Sequence, residues 1–119
     1  MDEAGSRFDA GALAAAAAAL QGRGEEPYAV AMRRGSLELG FYAPRGVDSQ
    51  EPHDQNEVYV VVAGRGTFVV GDRPNSFGPG DALFVAAGTP HRFEDFTDDL
   101  EVWVMFYGPA GGEQVGSSS

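Results

Sequence analysis

The chain of 119 residues contains no cysteine. That absence excludes disulfide bonds, thiolate zinc sites and thiol nucleophiles. Positive charge is also scarce, because eight Lys and Arg stand against 18 Asp and Glu and give a formal net charge of −10. A chain this acidic is repelled by phosphate backbones and by anionic lipid. We therefore expect neither nucleic acid nor a membrane surface as a partner.

Long hydrophobic runs are missing as well. No apolar stretch reaches the roughly 18 residues of a membrane span. The Ala-rich stretch at residues 13–20 is short, and the acidic start of the chain is unlike the basic start of a secretory signal. We expect a cytoplasmic protein with one domain, because 119 residues of which 43% are hydrophobic suffice for a single core.

Turn-forming residues are abundant, with 17 Gly and seven Pro, and this favours an all-β fold. One α-helix is predicted at residues 10–21, between an N-cap at Asp9 and a stop at Gly22. From Tyr28 onward the apolar residues follow a period of two, which is typical of strands. The predicted strands lie at residues 28–34, 36–43, 57–63, 67–70, 82–87, 92–96 and 100–107.

The chain thus divides into three predicted regions. Residues 1–24 form an N-terminal helix and its lead-in, residues 25–109 form a barrel domain, and residues 110–119 form a flexible Gly/Ser-rich tail. Short strands separated by Gly and Pro turns indicate a β-sandwich or a small β-barrel.

Three candidate metal ligands, Glu51, His53 and Glu57, stand at the start of an apolar β-run. They share one parity, and the side chains of a strand alternate between its faces, so we expect all three to point to one side. The second of the two histidines, His91, follows a separate turn. Imidazole and carboxylate together suit one divalent metal ion: Fe, Mn, Ni, Cu or Zn.

Four further side chains are candidates for the wall of a substrate pocket. Tyr59 shares the parity of Glu57, and Phe93 shares the parity of His91, so both are expected to face the interior. Trp103 and Met105 are the other two candidates. Packing in the hydrophobic core is the alternative role for each of them.

The spacing of these residues resembles the first motif of the cupin family. That motif runs Gly, His, His, Glu, Gly, and the corresponding residues here are Gly46, Glu51, His53, Glu57 and Gly64. Two features depart from the family pattern. Four residues rather than five follow the first glycine, and a glutamate takes the place of the first histidine.

The second cupin motif runs Gly, Pro-x-Gly, His, Asn. Here Gly80, Gly88 and His91 fall at the family spacing, whereas Ala86 stands for Pro and Asp95 for Asn. The two motifs together span residues 46–95. The resemblance implies a small jelly-roll β-barrel whose interior holds one divalent metal ion.

Glu51 has two interpretations. As a metal ligand beside Glu57 it would leave the site neutral, which favours harder ions such as Mn(II) or Fe(II). As an unligated neighbour of the metal it would be a candidate general base, with a pKa lowered by the cation. Glu51→Gln separates the two, because the ligand interpretation predicts loss of metal and the base interpretation predicts loss of turnover alone.

The resemblance implies a metal-dependent enzyme that acts on a small organic molecule, with oxygen-dependent, dioxygenase-type chemistry ranked first. A metal-dependent isomerase or lyase, and a non-catalytic module that binds a small ligand, are the alternatives. Strand edges and apolar outer faces of small barrels are commonly covered by a second copy, so we also expect a homodimer.

Overall fold

The computed structural model of the protein describes residues 27–48 and 50–113, which contain eight β-strands. The strands are β1 Tyr28–Arg34, β2 Leu37–Tyr42, β3 Asn56–Ala63, β4 Gly66–Val70, β5 Arg73–Phe77, β6 Ala82–Val85, β7 His91–Glu94 and β8 Glu101–Tyr107. The helix predicted at residues 10–21 lies outside the described residues. In the part of the chain that the structure describes, no helix is long and apolar enough to span a membrane.

The strands form two antiparallel sheets. The larger has the order β1-β2-β8-β3-β6, and the smaller has the order β5-β4-β7. Because the chain leaves the larger sheet after β3, returns for β6 and leaves again for β7, neighbouring segments of sequence end on opposite sides of the core. The prediction of an all-β fold is confirmed in this two-sheet arrangement.

The core lies between the two sheets and is rich in aromatic rings. The rings of Tyr59, Phe68 and Phe77 surround Phe93, with centroid distances of 5.2, 4.7 and 5.3 Å. Each fully buried side chain of this size stabilises the fold by roughly 1.5–3 kcal/mol. The buried members of the cluster are Tyr59, Val61, Phe68, Phe77, Val85, Phe93, Leu100, Val102 and Val104.

The outer face of the larger sheet carries a second apolar cluster. Trp103 packs against Phe41 with their ring centroids 5.1 Å apart. In β8 the inward positions belong to Val102 and Val104, both buried in the core, so Trp103 and Met105 have the opposite parity. This register corrects the prediction that Trp103 and Met105 line a substrate pocket inside the barrel.

One strand was not predicted from the sequence. The strands predicted from the sequence leave residues 71–81 without one, and Pro74 and Asn75 are turn-forming residues. Among the eight described strands, β5 pairs with β4 alone and forms an edge of the smaller sheet. An edge strand tolerates proline, since one side of it needs no ladder hydrogen bonds.

Gly64 provides a test of how closely the connection after β3 packs against the residue before β8, its neighbour in the larger sheet. Its φ is +100°, and an added Cβ would lie 2.6 Å from the Cα of buried Leu100. We expect Gly64→Ala to lower the free energy of unfolding by roughly 2–4 kcal/mol, because backbone strain and a backbone clash add together. Urea denaturation followed by circular dichroism measures the change.

Gly71→Ala is the matched control. Its φ is +64°, but an added Cβ would meet nothing within 4 Å, so only the cost of the left-handed conformation, about 1–2 kcal/mol, is expected. Equal losses in the two variants would contradict the close approach of Gly64 to Leu100.

Candidate metal centre

Glu57 is a carboxylate buried inside the barrel. It lies in β3, pairs with Val85 on one side and with Phe106 on the other, and is 1% exposed. Its inward direction follows from the strand alternation, since Tyr59 and Val61 of the same parity are core residues. A charged group in such a place requires compensating partners, because burial of an unpaired charge is costly.

Both histidines approach this carboxylate. His53 lies in the loop before β3, and its Nδ1 is 2.7 Å from Glu57 Oε2. His91 begins β7 in the other sheet, and its Nε2 is 3.3 Å from the same oxygen. One donor atom from each of the three residues lies within 4.8 Å of the others. The group therefore joins a loop and both sheets at one point.

Two backbone contacts hold the loop of His53 against the turn before β7. The carbonyl oxygen of His53 accepts a hydrogen bond from the N–H of Gly88 at 2.7 Å. The side-chain oxygen of buried Asn56 accepts one from the N–H of Ala87 at 2.9 Å. These contacts link the segments that carry the two sequence motifs. Sequence analysis missed Asn56, although its place next to Glu57 at a strand end was a usable signal.

His91 is oriented by a backbone group. Its Nδ1 lies 2.8 Å from the carbonyl oxygen of Thr89. A carbonyl only accepts, so Nδ1 carries a proton and the other nitrogen, Nε2, faces Glu57 and the hydroxyl of Tyr59. A histidine that ligates a metal is commonly held in this manner, with its second nitrogen donating to a carbonyl or carboxylate.

The electrostatics of the metal-free group favour an ion pair. Burial opposes ionisation of Glu57, but hydrogen bonds from His53 and His91 outweigh it and hold the pKa of Glu57 at about 2. Burial likewise opposes a charge on His91, yet Glu57 and the carbonyl of Thr89 raise its pKa above the usual value. A proton on His91 thus occupies the place where a cation would balance the carboxylate.

The donor set fits a divalent metal ion. Glu57 Oε1 is buried and has no hydrogen-bond partner among the described residues, whereas Oε2 is shared by both histidines. A cation bound by His53, Glu57 and His91 would satisfy this oxygen, and two imidazoles with one carboxylate are ligands for first-row transition metals.

Glu51 is not brought to the group. Its side chain is exposed, and the three residues whose donor atoms cluster do not include it. Equal parity places side chains on one face only within a strand, but β3 begins at Asn56 and the preceding residues form a loop in which faces do not alternate. Neighbouring Gln50 reaches inward instead, where it accepts a hydrogen bond from Tyr59 at 2.9 Å.

A cavity of about 240 Å³ adjoins the group and is lined in part by His53. The rest of its wall is formed by Tyr28, Tyr42, Gln50, Tyr59, Val104 and Phe106. Among the candidates for a substrate pocket, Tyr59 lies in this wall, and Phe93 packs in the core. Phe106 directly opposes Glu57 in the register of β8 and β3, a pairing that the sequence alone does not specify.

A sequence profile of the cupin domain family matches residues 39–107, which is more than half of the chain. The protein therefore belongs to the cupin family, and the resemblance inferred from the two motifs is confirmed. The match includes all three residues of the buried group.

A relative from Streptomyces coelicolor is similar to this chain in sequence. The protein SCO3923 of Streptomyces coelicolor is 39% identical over 80 residues, which cover 66% of this chain and 76% of that protein.

Two solved structures are similar in fold. A Cupin 2 conserved barrel domain protein from Salinispora arenicola has a TM-score of 0.59 at 20% identity, and 68% of this chain covers 74% of that one. KdgF from Halomonas sp. has a TM-score of 0.60 at 18% identity, over 69% of this chain and 77% of that one. At these identities the likeness shows the fold alone.

The protonation states give a pH-dependent prediction for metal binding. Ionised Glu57 stabilises the metal-free fold above about pH 4.5, and this contribution is lost as the pH falls through about 2. Protonated His91 stabilises it below its unfolded pKa, and that contribution is lost as the pH rises through the raised value. A metal ion needs His91 unprotonated, so its affinity should increase as the pH rises.

We expect added Mn(II) to raise the melting temperature more at about pH 8 than at about pH 6, because protons compete less for His91. Differential scanning fluorimetry in both buffers measures the shift, and Glu57→Gln, which removes the central carboxylate, is the control without a shift. A larger shift at the lower pH would contradict proton competition at this group.

Proposed function

We propose that this protein is a metal-dependent enzyme that acts on a small organic molecule, with one divalent ion held by His53, Glu57 and His91. The observation that carries the proposal is the unpartnered, buried Oε1 of Glu57 beside two imidazoles. A buried carboxylate oxygen without a partner is rare in proteins and indicates a binding role.

An open coordination sphere supports an enzyme over a closed structural site. The three side chains supply three donor groups, whereas structural metal sites are usually closed by four protein ligands. The cavity of about 240 Å³ begins at His53, so a substrate in it would reach the remaining coordination positions.

Oxygen-dependent, dioxygenase-type chemistry ranks first among the reactions. Two histidines and one carboxylate are the donor set of many non-haem Fe(II) oxygenases. The bound ion would supply Lewis acidity and, if it is iron, redox chemistry. Because Glu51 is exposed, the site has one carboxylate and a net charge near +1 rather than zero. Preference for iron therefore rests on the donor set and not on a second carboxylate.

The chain's own residues would bind and orient the substrate. Val104 and Phe106 give the cavity an apolar side that excludes water. Tyr59 donates its hydroxyl hydrogen to Gln50, and burial keeps its pKa above the ordinary value, so the phenol stays protonated beside His91. It can orient a substrate oxygen, but a phenol with a pKa raised in this way is a weak acid and does not act as a base.

A metal-dependent isomerase or lyase is the second candidate. It is favoured by Tyr59, whose hydroxyl lies 3.1 Å from His91 Nε2 in the wall of the cavity. A hydroxyl in this place can hold a substrate oxygen in position while a proton moves on the substrate, and such a reaction needs no oxidant.

Metal content of purified variants tests the ligand set. We expect His91→Ala and Glu57→Gln each to lower the affinity for Fe(II) or Mn(II) by about 100-fold or more, because each removes one of three ligands. Glu51→Gln is the matched control, since it makes the same change on an exposed glutamate outside the group and should retain the metal. Loss of metal in Glu51→Gln with retention in Glu57→Gln would contradict the assignment.

Turnover distinguishes the reaction types. Iron-loaded protein is expected to consume oxygen with a member of a panel of enolates, catechols and β-diketones, and the Glu57→Gln variant should consume none. Conversion that continues without oxygen would support the isomerase or lyase instead. A protein that takes up no Mn, Fe, Ni or Zn would contradict both forms of the proposal.

A further inference from the structure

The cavity beside the candidate metal centre has an aromatic wall. The ring of Tyr28 lies 6.5 Å from that of Tyr42 and 6.4 Å from that of Phe106, with interplanar angles of 61° and 75°. The ring of His53 lies 4.8 Å from Phe106 and continues this wall toward the buried carboxylate. Rings set at steep angles around one space form a concave surface of aromatic faces and edges.

Two of the phenols in the wall already donate hydrogen bonds to carboxylates. Tyr28 donates its hydroxyl hydrogen to Glu38 at 2.6 Å, and Tyr42 donates to Asp48. Burial and the carboxylate neighbours raise the pKa of both phenols, so both remain protonated donors. Neither hydroxyl hydrogen is free for a ligand, and a phenol that donates to an anion has a more electron-rich ring.

The remaining polar groups of the wall are committed as well. The amide N–H of Gln50 donates a hydrogen bond to Asp48 at 2.7 Å, and the amide oxygen of Gln50 accepts one from Tyr59 at 2.9 Å. The part of a ligand that lies between the rings would therefore find few free hydrogen-bond donors. A sugar or a polyol, which needs many hydrogen bonds, is poorly matched to this wall.

The charges directly behind the aromatic wall, on the side away from the candidate metal centre, are negative. Neither Lys nor Arg is among the lining residues of the cavity. Asp48 lies directly behind the wall, where it accepts hydrogen bonds from Tyr42, Gln50 and the backbone N–H of Phe93. Arg33 pairs with Glu38 at 2.9 Å, but its side chain is 68% exposed, so solvent screens much of its charge. An anionic group on the part of a ligand that lies between these rings would therefore meet no Lys or Arg among the described lining residues.

These observations fit one ligand chemistry. We infer that the aromatic part of the cavity binds a methylated organic cation, such as a quaternary ammonium or tertiary sulfonium group, on a substrate whose other end carries an oxygen for the metal. The inference rests on the proposed function, because it takes this cavity to be the substrate site. The inference restricts the class of substrate, so far only a small organic molecule, to a compact cation or zwitterion.

The physical reason is the pairing of an onium group with aromatic rings. Methylated cations do not need hydrogen-bond donors, so a wall whose donors are already used does not penalise them. The electron-rich faces of Tyr28, Tyr42 and Phe106 attract the positive charge by cation–π interaction. Asp48 adds a Coulombic attraction through a partly buried environment, where screening is weaker than in bulk water.

Choline and its neutral isostere, in which carbon replaces the ammonium nitrogen, test the inference directly. The two molecules have nearly the same shape, so a difference in affinity reports the charge. We expect isothermal titration calorimetry to give a dissociation constant about tenfold lower for choline than for the isostere. Equal affinities, tighter binding of the isostere, or binding of neither would overturn the inference.

Ring variants locate the binding site. Tyr28→Leu removes an aromatic face and should lower the preference for choline to about twofold or less, whereas Tyr28→Phe keeps the ring and should retain most of it. Phe84→Leu is the control, because Phe84 is 55% exposed and faces away from the core on the outer side of β6. Retained preference in Tyr28→Leu would place the cation elsewhere and contradict the assignment to this cavity.

Metal analysis of the same samples separates this inference from the proposed function. The titrations are carried out on the metal-free protein and after loading with Mn(II). Metal uptake without preference for choline would leave the metal-dependent enzyme standing and refute the cation site. Preference for choline in a protein that takes up no metal would support the aromatic site and refute the enzyme.

Discussion

The burial of Glu57 is the constraint on which the rest of the site depends. Its carboxylate is 1% exposed and one of its oxygens has no partner, so the fold must bring positive charge to it. In the described residues its hydrogen-bonding partners are His53 and His91, on a loop and on the opposite sheet, and Glu57 raises the pKa of His91. The same contacts that compensate the carboxylate therefore hold the two sheets together at this end of the barrel.

The supporting residues follow from this constraint. Gly88 and Ala87 donate backbone N–H groups to the segment that carries His53 and Asn56, which fixes the loop against the turn before β7. Asp95 ends the second motif with a φ of 51°, in the left-handed region that Asn and Asp adopt more readily than other side chains. Its substitution for the asparagine of the family pattern thus preserves the backbone conformation. Residues of the second motif such as Gly88 and Ala87 therefore also hold two loops together through their backbone hydrogen bonds.

Local pattern predicted much of this structure, and long-range register accounts for what it did not. The period of two located seven of the eight strands, and motif spacing brought His53, Glu57 and His91 together as expected. The prediction for Glu51 failed because a loop, not a strand, precedes Asn56.

Other parts were beyond the reach of local pattern. Strand β8 is apolar on both faces, so the sequence could not tell which of its residues point inward, and Trp103 was placed on the wrong side. Tyr28 and Tyr42 belong to the cavity only because β1 and β2 pair in a particular register. The N-terminal helix and the homodimer stay predictions.

Anomalous X-ray diffraction from crystals loaded with Mn(II) tests the central claim most directly. The account expects one ion within about 2.0–2.3 Å of an imidazole nitrogen from each histidine and an oxygen of Glu57. An ion bound elsewhere, or imidazoles that bind none, would contradict it.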